Sequence, residues 1–132
     1  MSVATARAAI VEALKAIPDL EVYGWPQQNA NLPMAHVLLD TLDPDFVIDD
    51  DTQRMRFLVR LMVGTADLEE ATAALDPFLA PAGVSVRGIV NDDPTLGGLV
   101  DSCRVVEVQS DRIFQVGGLS LVGAEFTLDV VG

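Results

Sequence analysis

The sequence predicts an α+β fold: a two-layer sandwich in which a mainly antiparallel or mixed β-sheet carries two helices packed on one face, with a protruding acidic loop or hairpin. Three observations predict it. Arg54 to Gly64 alternates with period two, so that Met55, Phe57, Val59, Leu61 and Val63 form one fully apolar face of a long strand. A helical pattern opens directly afterwards at Asp67, with Leu68, Ala71, Leu75, Phe78 and Leu79 on one side. Near the carboxy terminus Gly117-Gly118 joins Arg112–Val116 to Leu119–Val131, the signature of a two-residue β-hairpin. A strand with an apolar face and a helix with an apolar stripe bury those surfaces against each other.

The other elements follow in order. Ser2 is placed to cap a first helix, whose apolar positions are Val3, Ala6, Ile10, Ala13, Leu14 and Ile17 and which Pro18 ends. Leu20 to Tyr23 reads as a short strand, Gly24-Trp25-Pro26 as a turn, Gln27 to Asn31 as a polar loop closed by Pro33, and Met34 to Leu39 as a strand. From Asp40 to Thr52 the chain is acidic around Phe46, Val47 and Ile48, and reads as the protruding loop or hairpin. Asp67 and Glu70 have capping-box spacing, and Pro77 should break the second helix near its end. Val84 to Val90 reads as a strand, Asn91-Asp92-Asp93-Pro94 as a turn, and Val100 to Gln109 as a strand entered through a bend at Gly97-Gly98. In the last strand Val122, Ala124, Phe126, Leu128 and Val130 share one face, and Glu125, Thr127 and Asp129 the other. The hairpin register sets Val116 opposite Leu119, Phe114 opposite Leu121 and Arg112 opposite Gly123, with a bulge expected at Gly123.

At 132 residues the chain is expected to be one domain, 1–132, large enough for a core without covalent staples. Half of it is hydrophobic but only 5% is aromatic, so the core must be built from Val, Leu, Ile and Ala. A formal charge of −12 opposes binding to nucleic-acid phosphates or anionic membranes. The eight basic residues are seven Arg and one Lys, a bias that suits ordered ion pairs and interfaces. Cys103 is the only cysteine, which excludes an internal disulfide. Arg7, Glu12 and Lys15 interrupt any signal-like apolar run, and no stretch reaches membrane-spanning length.

No residue set carries a recognisable chemistry, so the chain is not expected to be an enzyme or to hold a cofactor or metal. His36 is a lone histidine in an alternating strand, and Cys103 lies in a strand beside Val105; both read as packing residues. The Asp49, Asp50 and Asp51 run lacks the alternating ligands, central Gly and terminal Glu of a calcium loop, and reads as a solvated loop tip. Gly97-Gly98 is followed by Leu99-Val100 rather than by the Lys-Ser/Thr of a phosphate loop. The face bearing Arg54, Arg56 and Arg60 has two readings. It could bind an anionic ligand, or it could pair with Glu125 and Asp129 on a neighbouring strand, the reading favoured here. Phe46, Val47 and Ile48, with Asp49, Asp50 and Asp51, form the candidate interface with another chain, whether a second copy or a different partner, the rival reading being a strand of the chain's own sheet.

The order of these elements resembles the tail terminator proteins of long-tailed phages (siphoviruses), particularly those infecting actinobacteria. The resemblance covers nearly the whole chain: the first helix ended by Pro18, Val22-Tyr23 and Trp25-Pro26, the loop to Pro33, the acidic loop, the strand to Val63-Gly64, the helix from Asp67 through Leu75-Asp76, Thr95-Leu96-Gly97-Gly98, and the Glu125-Phe126-Thr127-Leu128 strand. It implies a non-enzymatic virion protein assembled in the host cytoplasm as a homohexameric ring. That ring would cap the tail tube, ending growth of the major tail protein, and would meet the head-neck connector. DNA would pass through the lumen without specific binding, which an acidic lining favours. Rival functions are another neck or head-tail adaptor protein, or a small anionic-ligand-binding domain.

Overall fold

The computed structural model describes residues 2–29, 31–44, 52–64 and 68–132. Over these described residues it is an α+β fold with one five-stranded mixed sheet and three α-helices. Helix α1 spans Val3–Leu14 and is capped by Ser2, whose hydroxyl accepts the Thr5 N–H at 3.1 Å. Ala6, Ala9, Ile10 and Leu14 line its buried side, and Ile17 is buried just beyond it. The helix ends one turn before Pro18, so the proline lies past the helix terminus rather than at it.

Strand β1, Glu21–Tyr23, pairs parallel with the first residues of β2, Met34–Asp43. Strand β2 runs four residues past the predicted end at Leu39, with a bulge at Asp40, into what the sequence reads as the acidic loop. The interface candidates Phe46, Val47, Ile48, Asp49, Asp50 and Asp51 lie outside the described residues, as does the Asp67 cap.

Strand β3, Arg54–Gly64, has the predicted bounds. Met55, Phe57, Val59 and Leu61 are fully buried, while Val63, at the register shift between Met62 and Gly64, is half-buried and packs against the same cluster. Helix α2, Leu68–Leu75, gives way to a 3₁₀ turn at Asp76–Leu79, with Pro77 at the break as expected.

The segment read as a strand from Val84 to Val90 is instead a helix, α3, Val86–Asp92. Its β-branched residues favour a strand, but Ser85 decides the outcome locally. The Ser85 hydroxyl accepts the Gly88 N–H at 3.0 Å and donates to the Ala80 carbonyl at 2.7 Å, capping the helix and tying it to the preceding turn. Val86 and Val90, one turn apart, are then both buried. Ser85→Ala is expected to cost about 1–2 kcal/mol, from the lost cap and the stranded Ala80 carbonyl, measured by urea unfolding. The Asn91–Pro94 turn starts late for the same reason, since Asn91 and Asp92 belong to α3.

Val100–Gln109 and Arg112–Val116, read as two strands, form a single one, β4, Ser102–Val116. Two register shifts, between Val105 and Glu107 and between Gln109 and Arg112, interrupt the alternation that would have marked it as continuous. Asp111, at φ 56, supplies the left-handed residue of the second. The last strand, β5, Leu119–Val131, follows a Gly117-Gly118 turn with φ 56 and 85, both positive as a type I′ hairpin requires. The predicted register holds: Val116 faces Leu119, Phe114 faces Leu121 and Arg112 faces Gly123, and the shift next to Gly123 is carried by β4.

The sheet order is β1-β2-β3-β5-β4, antiparallel except for β1 with β2. One hydrophobic cluster joins the inner residues of β3 and β5 to Ala35, Val37 and Cys103, to Ile10 and Leu14 of α1, to Leu75 of α2, and to Val86 and Val90 of α3. A second, small cluster of Met34, Met62, Val116 and Leu121 lies at one end of the sheet. Its members belong to the same register series as Arg54, Arg56 and Arg60, and so to the face turned away from the main cluster.

Candidate functional site

The charged face of the sheet is positioned by cross-strand register. Asp129 on β5 lies opposite Arg56 of β3 and Arg104 of β4. Its carboxylate is gripped by a third arginine, Arg54, diagonally placed on β3. Arg54 Nε donates to Oδ1 at 3.0 Å and Nη2 to Oδ2 at 2.9 Å, a fork-to-fork pair. Arg104 Nη2 stands 3.9 Å from Oδ2 on the other side. Asp129 is itself buried. The Arg54 hydrogen bonds hold its carboxyl below the usual aspartate range against the opposing effect of burial, helped by the charges of Arg54, Arg56 and Arg104. The same pair raises Arg54.

Arg60 lies directly opposite Glu125 and donates to it through Nε at 3.0 Å. Its guanidinium also sits over the Phe114 ring, 5.7 Å from the centroid. The expected pairing of the arginine row with Glu125 and Asp129 is therefore present for Arg54 and Arg60, while Arg56 acts on Asp129 through its charge. Two of the row's three cations thus already hold carboxylates of the same chain.

Sequence reasoning missed Arg104. Extended straight from the hairpin, the register would put Arg104 opposite Val131; each bulge in β4 slips the pairing by one residue and brings it to Asp129. The same slips aim Val105 and Val108 at the core and leave Val106 exposed. Nothing in the local sequence short of the strand's irregular alternation signals this.

His36 pairs in register with Arg60 and lines a recess of about 110 Å³ with Gln27, Leu38, Met62 and Phe114. Its Nε2 accepts the Gln27 backbone N–H at 3.3 Å, and Tyr23 meets its ring edge-on. Burial, then the Arg60 charge, pushes its pKa below the ordinary value of 6.5. Cys103 belongs to the main cluster on the other side of the sheet, so the fold does not bring these two residues together. Burial, with a contribution from Asp129, pushes the Cys103 thiol up to about 12, far from a reactive thiolate. Among the described residues, no group of three or more His, Cys, Asp or Glu is arranged to hold a metal ion.

The lowered His36 pKa makes the fold acid-sensitive in a defined window. The folded chain binds this proton less readily than the unfolded one. The stabilising contribution is whole above the unfolded value of about 6.5 and is lost as pH falls through that value towards the folded one. His36 is the only histidine, so His36→Gln should flatten the change in urea midpoint between about pH 7.5 and pH 5, relative to the parent chain.

Strand β4 is the sheet's outer strand along its whole 15-residue length. Val106 and Ile113 on it are 41% and 61% exposed, and Leu119 just past the hairpin turn is 47% exposed. In comparisons with known proteins the chain matches no family model, and a search of curated proteins returns no match.

Proposed function

We propose that this protein is a structural subunit of a long-tailed phage particle, a tail terminator that forms a ring on the end of the tail tube. The observation that carries the reading is the outer edge of β4. A long edge strand with exposed Val106 and Ile113 is a template for pairing with another chain, and a solitary subunit would gain by covering it. The charged face supports the reading from the other direction. Arg54 and Arg60 are committed to Asp129 and Glu125, which weakens the competing idea of an anionic-ligand pocket on that row.

On this reading the subunit assembles as a homohexamer in the host cytoplasm and becomes part of the virion tail. One side of the ring meets the major tail protein and stops tube growth; the other meets the head-neck connector. DNA passes through the lumen, repelled by the carboxylates of a chain with formal charge −12. The protein acts by assembly, with no reaction to catalyse.

Light-scattering mass and negative-stain images of the purified protein test the first half. Multimers seen as rings are the expected result, and a monomer at every concentration overturns it. The second half is tested by adding the protein to polymerising tail-tube protein from the same phage. Shorter tubes capped at one end are expected. Rings that bind a head connector but leave tube length unchanged would make this a different neck protein.

A further inference from the structure

We infer that subunits join by antiparallel pairing of β4 in one copy with the outer edge of β2, Val37–Asp43, in the next. This rests on the ring reading above and specifies how that ring closes. The sheet has two unequal edges. On one side, among the described residues, no strand lies beside the outer edge of β4. On the other, β1 covers only Met34 to His36 of β2, and among the described residues no strand lies beside the remainder.

Strand directions make the two edges compatible. Strand β2 is antiparallel to β3, β3 to β5 and β5 to β4, so β2 and β4 run in opposite senses. A neighbour related by rotation about a ring axis roughly along the strands keeps that sense. Its β2 therefore meets β4 antiparallel, continuing the alternation already running through the sheet. The free part of β2 spans roughly 23 Å and β4 roughly 50 Å at about 3.3 Å per residue, so β2 would cover about half of the β4 edge.

Charge selects the occupant. Strand β4 carries Arg104, Arg112, Glu107 and Asp111, a formal sum of zero in a chain of −12. Arg104 has a side chain 72% exposed, beside a carboxylate that Arg54 already grips, and Arg112 donates to the Gln109 amide oxygen rather than to a carboxylate. Both cations are thus available to an incoming acidic strand. The part of β2 that β1 leaves uncovered carries exposed Asp40, and Leu42, 47% exposed, to meet Val106 or Ile113; Asp43 on the same stretch acts on Arg54 of its own chain. Two β2 edges would repel each other, whereas β2 against β4 brings acidic to basic and apolar to apolar. Such a contact joins two different patches, so it propagates and closes into a ring, where a β4–β4 contact would stop at a dimer.

The single native thiol makes the test direct, because Cys103 is buried and unreactive. Two double variants, Leu42→Cys with Val106→Cys and Leu42→Cys with Ile113→Cys, are treated with a short bis-maleimide and run on a denaturing gel. All three sites are exposed, and melting curves matching the parent chain verify the fold. The expected result is a ladder of cross-linked multimers in at least one double variant and monomer in each single variant. A dimer from Val106→Cys or Ile113→Cys alone would show β4 pairing with itself and overturn the inference. Parent chain that is multimeric by mass, with no ladder in either double variant, overturns the inference and leaves the ring reading standing. Parent chain that is monomeric removes the ring reading and the inference together.

Discussion

Phe57→Ala is expected to destabilise the fold by about 3–5 kcal/mol. Phe57 is completely buried, opposite Leu39 on β2 and Leu128 on β5, and lies in the cluster that also contains residues of all three helices. Truncation removes the ring's burial and leaves a cavity whose walls are held by strands on both sides, so little collapse is possible. Urea unfolding should show a lower midpoint with an unchanged slope. Leu58→Ala is the matched control: the Leu58 side chain points to the charged face and is only half-buried, so the loss should be distinctly smaller. Equal losses at the two positions would mean that the strand's alternation does not set what is buried.

Gly123→Ala should be nearly as damaging, at about 3 kcal/mol, the upper end for overpacking, although it adds a single methyl group. Gly123 pairs with Met62 on β3 and Arg112 on β4, and register shifts adjoin it on both sides. A Cβ there would overlap the Leu61 carbonyl oxygen and crowd the Met62 Cα. These are backbone atoms of the neighbouring strand, so relief requires prising β3 from β5 rather than turning a side chain. Hydrogen exchange should locate the damage, with amides of Leu61 to Gly64 losing protection before those of Arg54 to Phe57. A variant as stable as the parent would place β5 further from β3 than described.

Where the chain was legible, one physical signal acted alone. Strict alternation marked β3 and the inner face of β5, and paired positive-φ glycines marked the hairpin and fixed its register. The polar faces of β3 and β5 also marked Arg54, Arg56 and Arg60 as partners for Glu125 and Asp129, while the β3–β5 register and the diagonal reach of Arg54, which decide the actual pairs, came from the structure. Where signals competed, the sequence misled. Val84 to Val90 has the composition of a strand, and a buried serine cap outweighs that propensity. Strand β4 hides its continuity behind two bulges, which also concealed Arg104's approach to Asp129. His36 read correctly as a lone histidine, but its link to Gln27 depends on a loop folding back over the sheet, which no periodicity reports.

The strand order has a consequence for how the chain reaches this state. Strand β5 is the last strand in the chain but lies between β3 and β4, and Gly132, just past its end, is clamped by reciprocal backbone bonds with Gln53 at 2.9 and 3.0 Å. During synthesis the ribosome delivers β1 to β4 before the element that joins them. Strand β4 then has no neighbour, and β3 has only β2. The β4–β5 hairpin can close locally within microseconds of emerging, whereas β3 must be captured across an intervening stretch that includes α2 and α3. The nascent chain is therefore held back from forming a complete sheet until translation has reached Val131, so that the sheet is finished only by its last-made strand.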